Sequence, residues 1–126
     1  MNSSVDSGEV FISYSHDSEE HIWRVLDLSN RLRSDGIDCV LDQYETSPPE
    51  GWPRWMDRKI RDSQFVLMVC TETYYKRVMG DEEAGKGLGV RWEGGLIYQN
   101  IYNAGAMNTK FVPVLLRAED LQFITV

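Results

Sequence analysis

Short apolar runs and amphipathic stretches alternate along the chain. Four runs that are rich in Val, Ile, Phe and Leu predict β-strands at Val10–Ser13, Ile37–Leu41, Gln64–Cys70 and Lys110–Leu116. The longer segments between them predict helices where apolar residues recur every three or four positions. The resulting order βαβαβαβ predicts an α/β fold, a flavodoxin-like doubly wound parallel sheet of four to five strands with helices on both faces.

The first predicted helix has recognisable ends. Asp17 is expected as its N-cap, with Glu20 three residues later completing a capping box. Gly36 is expected to end the helix, because glycine adopts the left-handed conformation that usually follows a helix.

Two further helices and a long connector are expected between the second and fourth strands. Trp52, Met56 and Ile60 have the spacing of one buried helix face. The third helix is expected at Val90–Tyr102. The polar stretch Thr71–Gly89, rich in Gly and acidic residues, is expected to be a long connector.

A single domain is expected over residues 9–126, after a flexible tail at residues 1–8. Two interpretations of the last residues remain open. Either Gln122–Val126 starts a last strand, or the final βα unit belongs to a longer protein of which this is the N-terminal piece.

Composition narrows the classes of partner. The formal net charge of −7 does not supply the basic surface that binds a phosphate backbone, so no nucleic acid is expected. The longest apolar run, Phe65–Cys70, is far shorter than the roughly 20 residues of a membrane helix. Cys39 and Cys70 lie in apolar runs without metal-ligand spacing, which predicts buried thiols in the cytoplasm and no metal site.

Candidate chemistry is expected in the loops that follow the strands, because doubly wound sheets bind ligands beyond the carboxyl ends of their strands. Glu93 opens the third predicted helix, and Ile97 and Ile101 follow it on the same face, toward the sheet. Two roles fit this spacing equally well. The carboxylate either faces a ligand or only complements the dipole of the helix.

Several short motifs then occur in a specific order. They are Phe11–His16, Gly36–Cys39, Asp42–Glu45, Pro49–Met56, Phe65–Thr71, Val90–Gly94 and Phe111–Leu115. In combination they resemble Toll/interleukin-receptor (TIR) domains and, more closely, the related SEFIR domains, including bacterial ones. The resemblance covers roughly residues 9 to 116.

The resemblance implies roles for particular residues. Many TIR domains cleave NAD+, and the catalytic Glu of their third helix corresponds to Glu93. NAD+ would be a substrate, with no cofactor and no metal. The residues expected to bind it are Ser13, Tyr14, Ser15, Asp42, Gln43, Tyr44 and Trp92. The loop after the second strand mediates self-association in this family, which makes Pro48, Pro49 and Trp52 the expected interface.

Two functions follow from the resemblance. The first is an NAD+ glycohydrolase effector domain that self-assembles, is joined to the sensor region of a longer chain, and acts in bacterial immune defence. The alternative is a non-enzymatic adaptor that uses the same loop and the helix at Pro53–Ser63. A receiver-like phosphate switch fits less well, because Ser13-Tyr14-Ser15 occupies the position of its acidic pair.

Overall fold

The computed structural model describes residues 8–78 and 110–124. Its strands are β1 (Val10–Ser13), β2 (Cys39–Val40), β3 (Phe65–Val69) and β4 (Phe111–Val114). Its α-helices are α1 (Glu19–Ser34), α2 (Trp52–Asp62) and α3 (Glu72–Val78). Short 3₁₀ helices cover Asp42–Tyr44 and Ala118–Phe123.

The described strands form one parallel sheet in the order β2-β1-β3-β4. This order begins the flavodoxin-like arrangement, so the predicted α/β fold is confirmed. β1 lies between β2 and β3, with Val10 opposite both Cys39 and Phe65. Pro113 lies in β4, which has a described neighbour on one side only, as expected for a proline that cannot donate to a ladder.

Alternating residues of the strands face two separate apolar clusters, one on each side of the sheet. Phe11 and Val66 pack with Trp55 of α2 and Tyr74 of α3. On the opposite side, Val10, Ile12 and Val69 pack with Val25 of α1 and Tyr14. The predicted placement of helices on both faces is therefore confirmed, because α1 covers one face while α2 and α3 cover the other.

The start of α1 differs from the prediction. Ser18, and not Asp17, is the N-cap, and its hydroxyl accepts a hydrogen bond from the backbone N–H of His21 at 3.0 Å. Asp17 instead accepts a hydrogen bond from the Ser15 hydroxyl. The end of α1 is as predicted, since Gly36 follows it with a φ of 94°.

The buried face of α2 also differs from the prediction. Trp55 and Ile60 are buried, and Met56 packs partly against the same cluster. Trp52 was expected on this face but is 38% exposed, whereas Trp55 is 3% exposed. Trp52 occupies the first turn, where it contacts the edge of the Trp55 ring at a centroid distance of 5.4 Å and does not enter the core.

One other prediction needs correction, and one of the two open interpretations of the last residues is disfavoured. The start of the expected connector Thr71–Gly89 is helical, because Thr71 caps α3 by accepting the Tyr74 N–H at 3.1 Å while Tyr74 and Val78 enter the core. Gln122 and Phe123 belong to a 3₁₀ helix and do not start a last strand. The third predicted helix, Val90–Tyr102, lies outside the described residues.

Cys39 and Cys70 are buried and free, as predicted. Within residues 8–78 and 110–124, no helix has the length and apolar character needed to cross a bilayer. The same ranges contain no group of acidic, His and Cys side chains arranged to hold a metal ion.

Candidate functional site

The carboxyl ends of β1 and β3 lie side by side at the centre of the sheet. After β1 the chain passes through α1 to β2, which lies on one side of β1. β3 lies on the other side of β1, and β4 lies beyond β3. This is the point at which a doubly wound sheet opens a crevice for ligands. Four hydroxyl-bearing side chains meet beneath this crevice. The hydroxyl oxygens of Ser13 and Tyr74 are 2.8 Å apart, and those of Ser15 and Thr71 are 3.4 Å apart.

A cavity of about 110 Å³ lies at this crevice, between the first turns of α1 and the segment after β4. A second cavity of about 370 Å³ shares Asp17, Thr71 and Arg117 with it and extends along the 3₁₀ helix at Ala118–Phe123. The residues that line the smaller cavity are Asp17, Ser18, Glu20, His21, Arg24, Thr71 and Arg117. Their donors and acceptors suit a ligand with several hydroxyl groups better than an apolar one.

His21 is a titratable group of the cavity lining whose pKa is changed by its surroundings. Burial lowers its pKa below the ordinary value, and this effect exceeds the opposing influence of Asp17 and Asp120. The cations of Arg117 and Arg24 lower it further. Nε2 of His21 is buried and has no hydrogen-bond partner. At neutral pH the site therefore holds an uncharged imidazole.

Asp120 and Arg117 form the wall opposite α1. Asp120 is buried and accepts a hydrogen bond from Nε of Arg117 at 3.4 Å. This bond and the nearby carboxylates raise the pKa of Arg117, so the guanidinium is held as a cation beside the cavity.

A hydrogen-bonded network joins the loop after β1 to the loop after β2. The Tyr14 hydroxyl donates to Oδ1 of Asp42 at 2.6 Å, and Nε2 of His16 lies 3.0 Å from Oδ2 of the same carboxylate. Nε2 of Gln43 donates to the Tyr14 oxygen at 2.9 Å and to the Ile22 carbonyl at 3.1 Å. The network therefore fixes two loops and α1 relative to one another.

The structure brings most of the expected ligand-binding residues together, but largely as partners of one another. Ser13, Tyr14 and Ser15 are buried beneath the crevice. Asp42 and Gln43 bond to Tyr14, as described above. The Tyr44 side chain instead bonds to residues of α1.

The hydroxyl of Tyr44 bonds Ser29 at 2.8 Å and Asn30 at 2.6 Å, and the guanidinium of Arg33 lies 4.6 Å from its ring. These partners lie about two or more helical turns along α1 from His21. Tyr44 therefore anchors the second loop to α1 and does not reach the crevice.

The expected interface residues differ in accessibility. Pro49 and Trp52 are exposed, whereas Pro48 is buried within the chain. A second copy could contact Pro49 and Trp52 directly and Pro48 only after the loop rearranged. Glu93 and Trp92 lie outside the described residues.

Thr71, His21, Arg117 and Asp120 are among the residues of the site that were not identified from the sequence. Thr71 had a recognisable signal, because Thr followed by Glu at the end of a strand is a common helix start. His21 could have been noticed as one of only two histidines in the chain. Nothing in the sequence places Arg117 and Asp120 opposite α1, because only the sheet order brings them there.

Comparisons with known proteins add to this geometry. A family model described as "TIR domain" matches residues 10–125. Among solved structures, the chain is similar to a prokaryotic SEFIR domain, with 31% sequence identity and a TM-score of 0.66. That match covers 93% of this chain and 78% of the other.

Proposed function

The chain belongs to the TIR domain family, and on this basis we propose that it is an NAD+ glycohydrolase effector domain that becomes active by self-assembly. Its products would be nicotinamide and ADP-ribose or a cyclic form of it. We further propose that it acts in the cytoplasm, in bacterial immune defence, joined to the sensor region of a longer chain.

One observation supports this proposal more than any other. The crevice at the carboxyl ends of β1 and β3 opens on a cavity lined by hydroxyl, carboxylate, imidazole and guanidinium groups. A ribose offers several hydroxyls and a pyrophosphate offers anionic oxygens, and groups of these kinds bind them. Such a cavity at the switch point of the sheet is where a nucleotide is expected in this architecture.

The chemistry requires little beyond a carboxylate. Nicotinamide leaves the ribose as a neutral molecule, so its departure needs no general acid. The cleavage develops positive charge on the ribose, and a nearby carboxylate stabilises that charge electrostatically. We assign this role to Glu93, which opens the third predicted helix in the sequence.

The test is nicotinamide release from NAD+ under forced assembly. The chain is fused to a tetrameric coiled coil, and the wild type is compared with Glu93→Gln. We expect release by the assembled wild type and a loss of roughly a hundredfold or more in the variant, as is usual when a catalytic electrostatic group is removed.

Asp38→Asn provides a matched control. It also removes one carboxylate, but at the opposite end of β2 from the crevice. Release that is unchanged in Glu93→Gln would remove Glu93 from the mechanism. Absence of release from the assembled wild type would overturn the enzymatic proposal.

The second candidate function is an adaptor module, and a specific observation favours it. Asp42 and Gln43, which were expected to bind substrate, instead hydrogen-bond Tyr14, while Pro49 and Trp52, which follow on the same loop and at the start of α2, are exposed. An adaptor would present this surface to another TIR or SEFIR domain. Self-association without nicotinamide release, abolished by Trp52→Glu, is the result that this candidate predicts.

A further inference from the structure

The side chain of His21 has a buried nitrogen that lacks a partner. Within the described residues, no group is in hydrogen-bonding reach of its Nε2 atom. Buried polar side-chain atoms are paired in the large majority of cases, and an unpaired one lowers the stability of the fold. The cap of α1 does not need the ring, because Ser18 accepts the backbone N–H of His21. The nitrogen is therefore available to a bound group, either a water molecule or a ligand.

The ring of His21 lines the cavity of about 110 Å³ at the crevice. At the roughly 30 Å³ that a water molecule occupies in the liquid, this space corresponds to about four water molecules, more than a single bridging water fills. The adjoining cavity of about 370 Å³ shares Asp17, Thr71 and Arg117 with it and has room for the remainder of a larger ligand. The smaller cavity therefore has the size of a subsite for one part of a ligand.

Charged side chains of both signs surround the imidazole and its cavity. They are Asp17, Glu20, Arg24, Arg117 and Asp120. An anionic group would be repelled by the carboxylates and a cationic one by the guanidinium groups, whereas a hydroxyl carries no net charge. Burial lowers the pKa of His21 and keeps the ring neutral at neutral pH. Since a hydroxyl both donates and accepts, it bonds either tautomer of this neutral imidazole.

We propose that the smaller cavity is a sugar subsite, in which Nε2 of His21 forms a hydrogen bond with a ribose hydroxyl. The assignment of this ribose to NAD+ rests on the proposed function, whereas the binding of a sugar hydroxyl at Nε2 does not. A ligand in the cavity meets the ring of His21, and a side-chain adjustment of the kind that commonly accompanies binding brings Nε2 within reach. The atom that lowers stability in the free chain thus contributes affinity in the complex.

The first test compares affinity and stability in His21→Phe, which removes both ring nitrogens but keeps an aromatic side chain and the backbone N–H that Ser18 caps. The probe is ADP-ribose, which carries both riboses of NAD+ and has no nicotinamide to release. Calorimetric titration of the assembled fusion at neutral pH is expected to give a Kd about tenfold higher in the variant, as for the loss of one hydrogen bond. Urea unfolding of the monomer is expected to show no loss of stability, because the unpaired buried atom is gone.

Trp23→Phe is the matched control. It also introduces phenylalanine into α1, but at a side chain that is 63% exposed and belongs to the lining of neither cavity. Its affinity for ADP-ribose should equal that of the wild type. Equal affinities in the wild type and in His21→Phe would overturn the proposal. A clear loss of stability in His21→Phe would overturn it as well, because the ring would then have a structural role.

A measurement on the wild type does not depend on the folding of His21→Phe. The chain contains two histidines, so histidine labelled with nitrogen-15 gives NMR signals from two imidazoles, and His16→Gln assigns them. ADP-ribose is expected to shift the Nε2 signal of His21. A shift with ADP as well assigns the contact to the adenosine ribose, and a shift with ADP-ribose alone assigns it to the terminal ribose. No shift with either would overturn the proposal and leave a water molecule as the partner of Nε2.

Two further results separate this inference from the proposed function. A shift of the Nε2 signal with free ribose but with neither nucleotide would confirm the sugar contact and overturn its assignment to NAD+. A shift with ADP-ribose in an assembled chain that releases no nicotinamide would overturn the enzymatic function and leave the sugar subsite in place.

Discussion

At the scale of single residues, the described site contains an imidazole that is held uncharged, that of His21, and an ion pair between Arg117 and Asp120. The Nε2 atom of His21 is buried without a hydrogen-bond partner, next to Asp17 and Asp120. A buried polar atom of this kind costs stability, so its environment has to be maintained by the surrounding packing. His21 therefore makes the stability of the fold depend on pH.

The direction of that dependence follows from the lowered pKa. Since the folded chain holds His21 less protonated than the unfolded chain does, stability is complete above the ordinary imidazole pKa of about 6.5 and falls as the pH decreases below it. We expect His21→Gln to lose less unfolding free energy than the wild type between pH 7.5 and pH 5.5. Urea unfolding at the two pH values measures this.

His16→Gln is the control for that experiment, because it removes the other histidine of the chain. It should leave the contribution of His21 in place. An identical pH dependence in the wild type and in His21→Gln would show that the burial of this imidazole does not affect folding.

Burial has a chemical consequence at Cys39 as well. It raises the pKa of the thiol, so the reactive thiolate is scarce at neutral pH. We expect Cys39 and Cys70, which are both buried, to react with iodoacetamide at least about a hundredfold more slowly in the folded protein than in urea, since reaction requires opening. Mass spectrometry of the modified peptides distinguishes the two positions, and rapid labelling of Cys39 in the native protein would contradict the assigned burial.

At the scale of elements, α2 shows how closely spaced tryptophans take different roles. Trp55 contacts Phe11 of β1, with ring centroids 5.8 Å apart, and enters the core on the α2 side of the sheet. Trp52 lies one turn earlier and remains at the surface. The sequence pattern alone could not separate them, because Trp52, Met56 and Ile60 have helical spacing and Trp55 is adjacent to the same stripe.

The two tryptophans are expected to differ in their effect on stability. Trp55→Ala should lower the free energy of unfolding by about 3–5 kcal/mol, because it leaves a cavity beside Phe11. Trp52→Ala should cost less than about 1 kcal/mol, since the side chain is partly in water already. Denaturant titration of both variants measures the difference, and equal losses would contradict the assigned faces.

Element starts were predicted less accurately than element types, for a physical reason. Asp17 and Ser18 are adjacent and both are good N-caps, so composition could not choose between them. The Asp17 carboxylate accepts a hydrogen bond from the Ser15 hydroxyl, which leaves Ser18 to cap the helix. That bond forms only once β1 has placed Ser15. α3 was missed because only Tyr74 and Val78 mark its apolar face.

At the scale of the whole molecule, the parallel sheet could be predicted but the site could not be completed. Alternating strands and helices led to the parallel α/β sheet, and the family motifs led to the loop after β1. The cavity, however, joins Asp17, Thr71 and Arg117, which come from three distant parts of the chain. Their proximity depends on the order of the strands and has no local signal in the sequence.

The net charge of −7 affects assembly as a whole-molecule property. Copies of the same sign repel one another, and salt screens that repulsion. We expect self-association, measured by light scattering, and nicotinamide release to rise together, a few-fold, when the ionic strength increases from about 0.01 to about 0.15 M. Association that weakens with salt would instead indicate an interface dominated by opposite charges.

The central position of β1 also determines when the chain can fold during its synthesis. β1 is made first but pairs with β3, with Val10 opposite Phe65 and Ser13 opposite Met68. Parallel pairings between distant segments form slowly because the intervening chain must be closed into a loop before contacts form. β2 can pair with Val10 and Phe11 earlier, but we expect the β3 side of the first apolar strand to remain unpaired on the ribosome until residues 65–69 have emerged, a period in which a chaperone would be its natural partner.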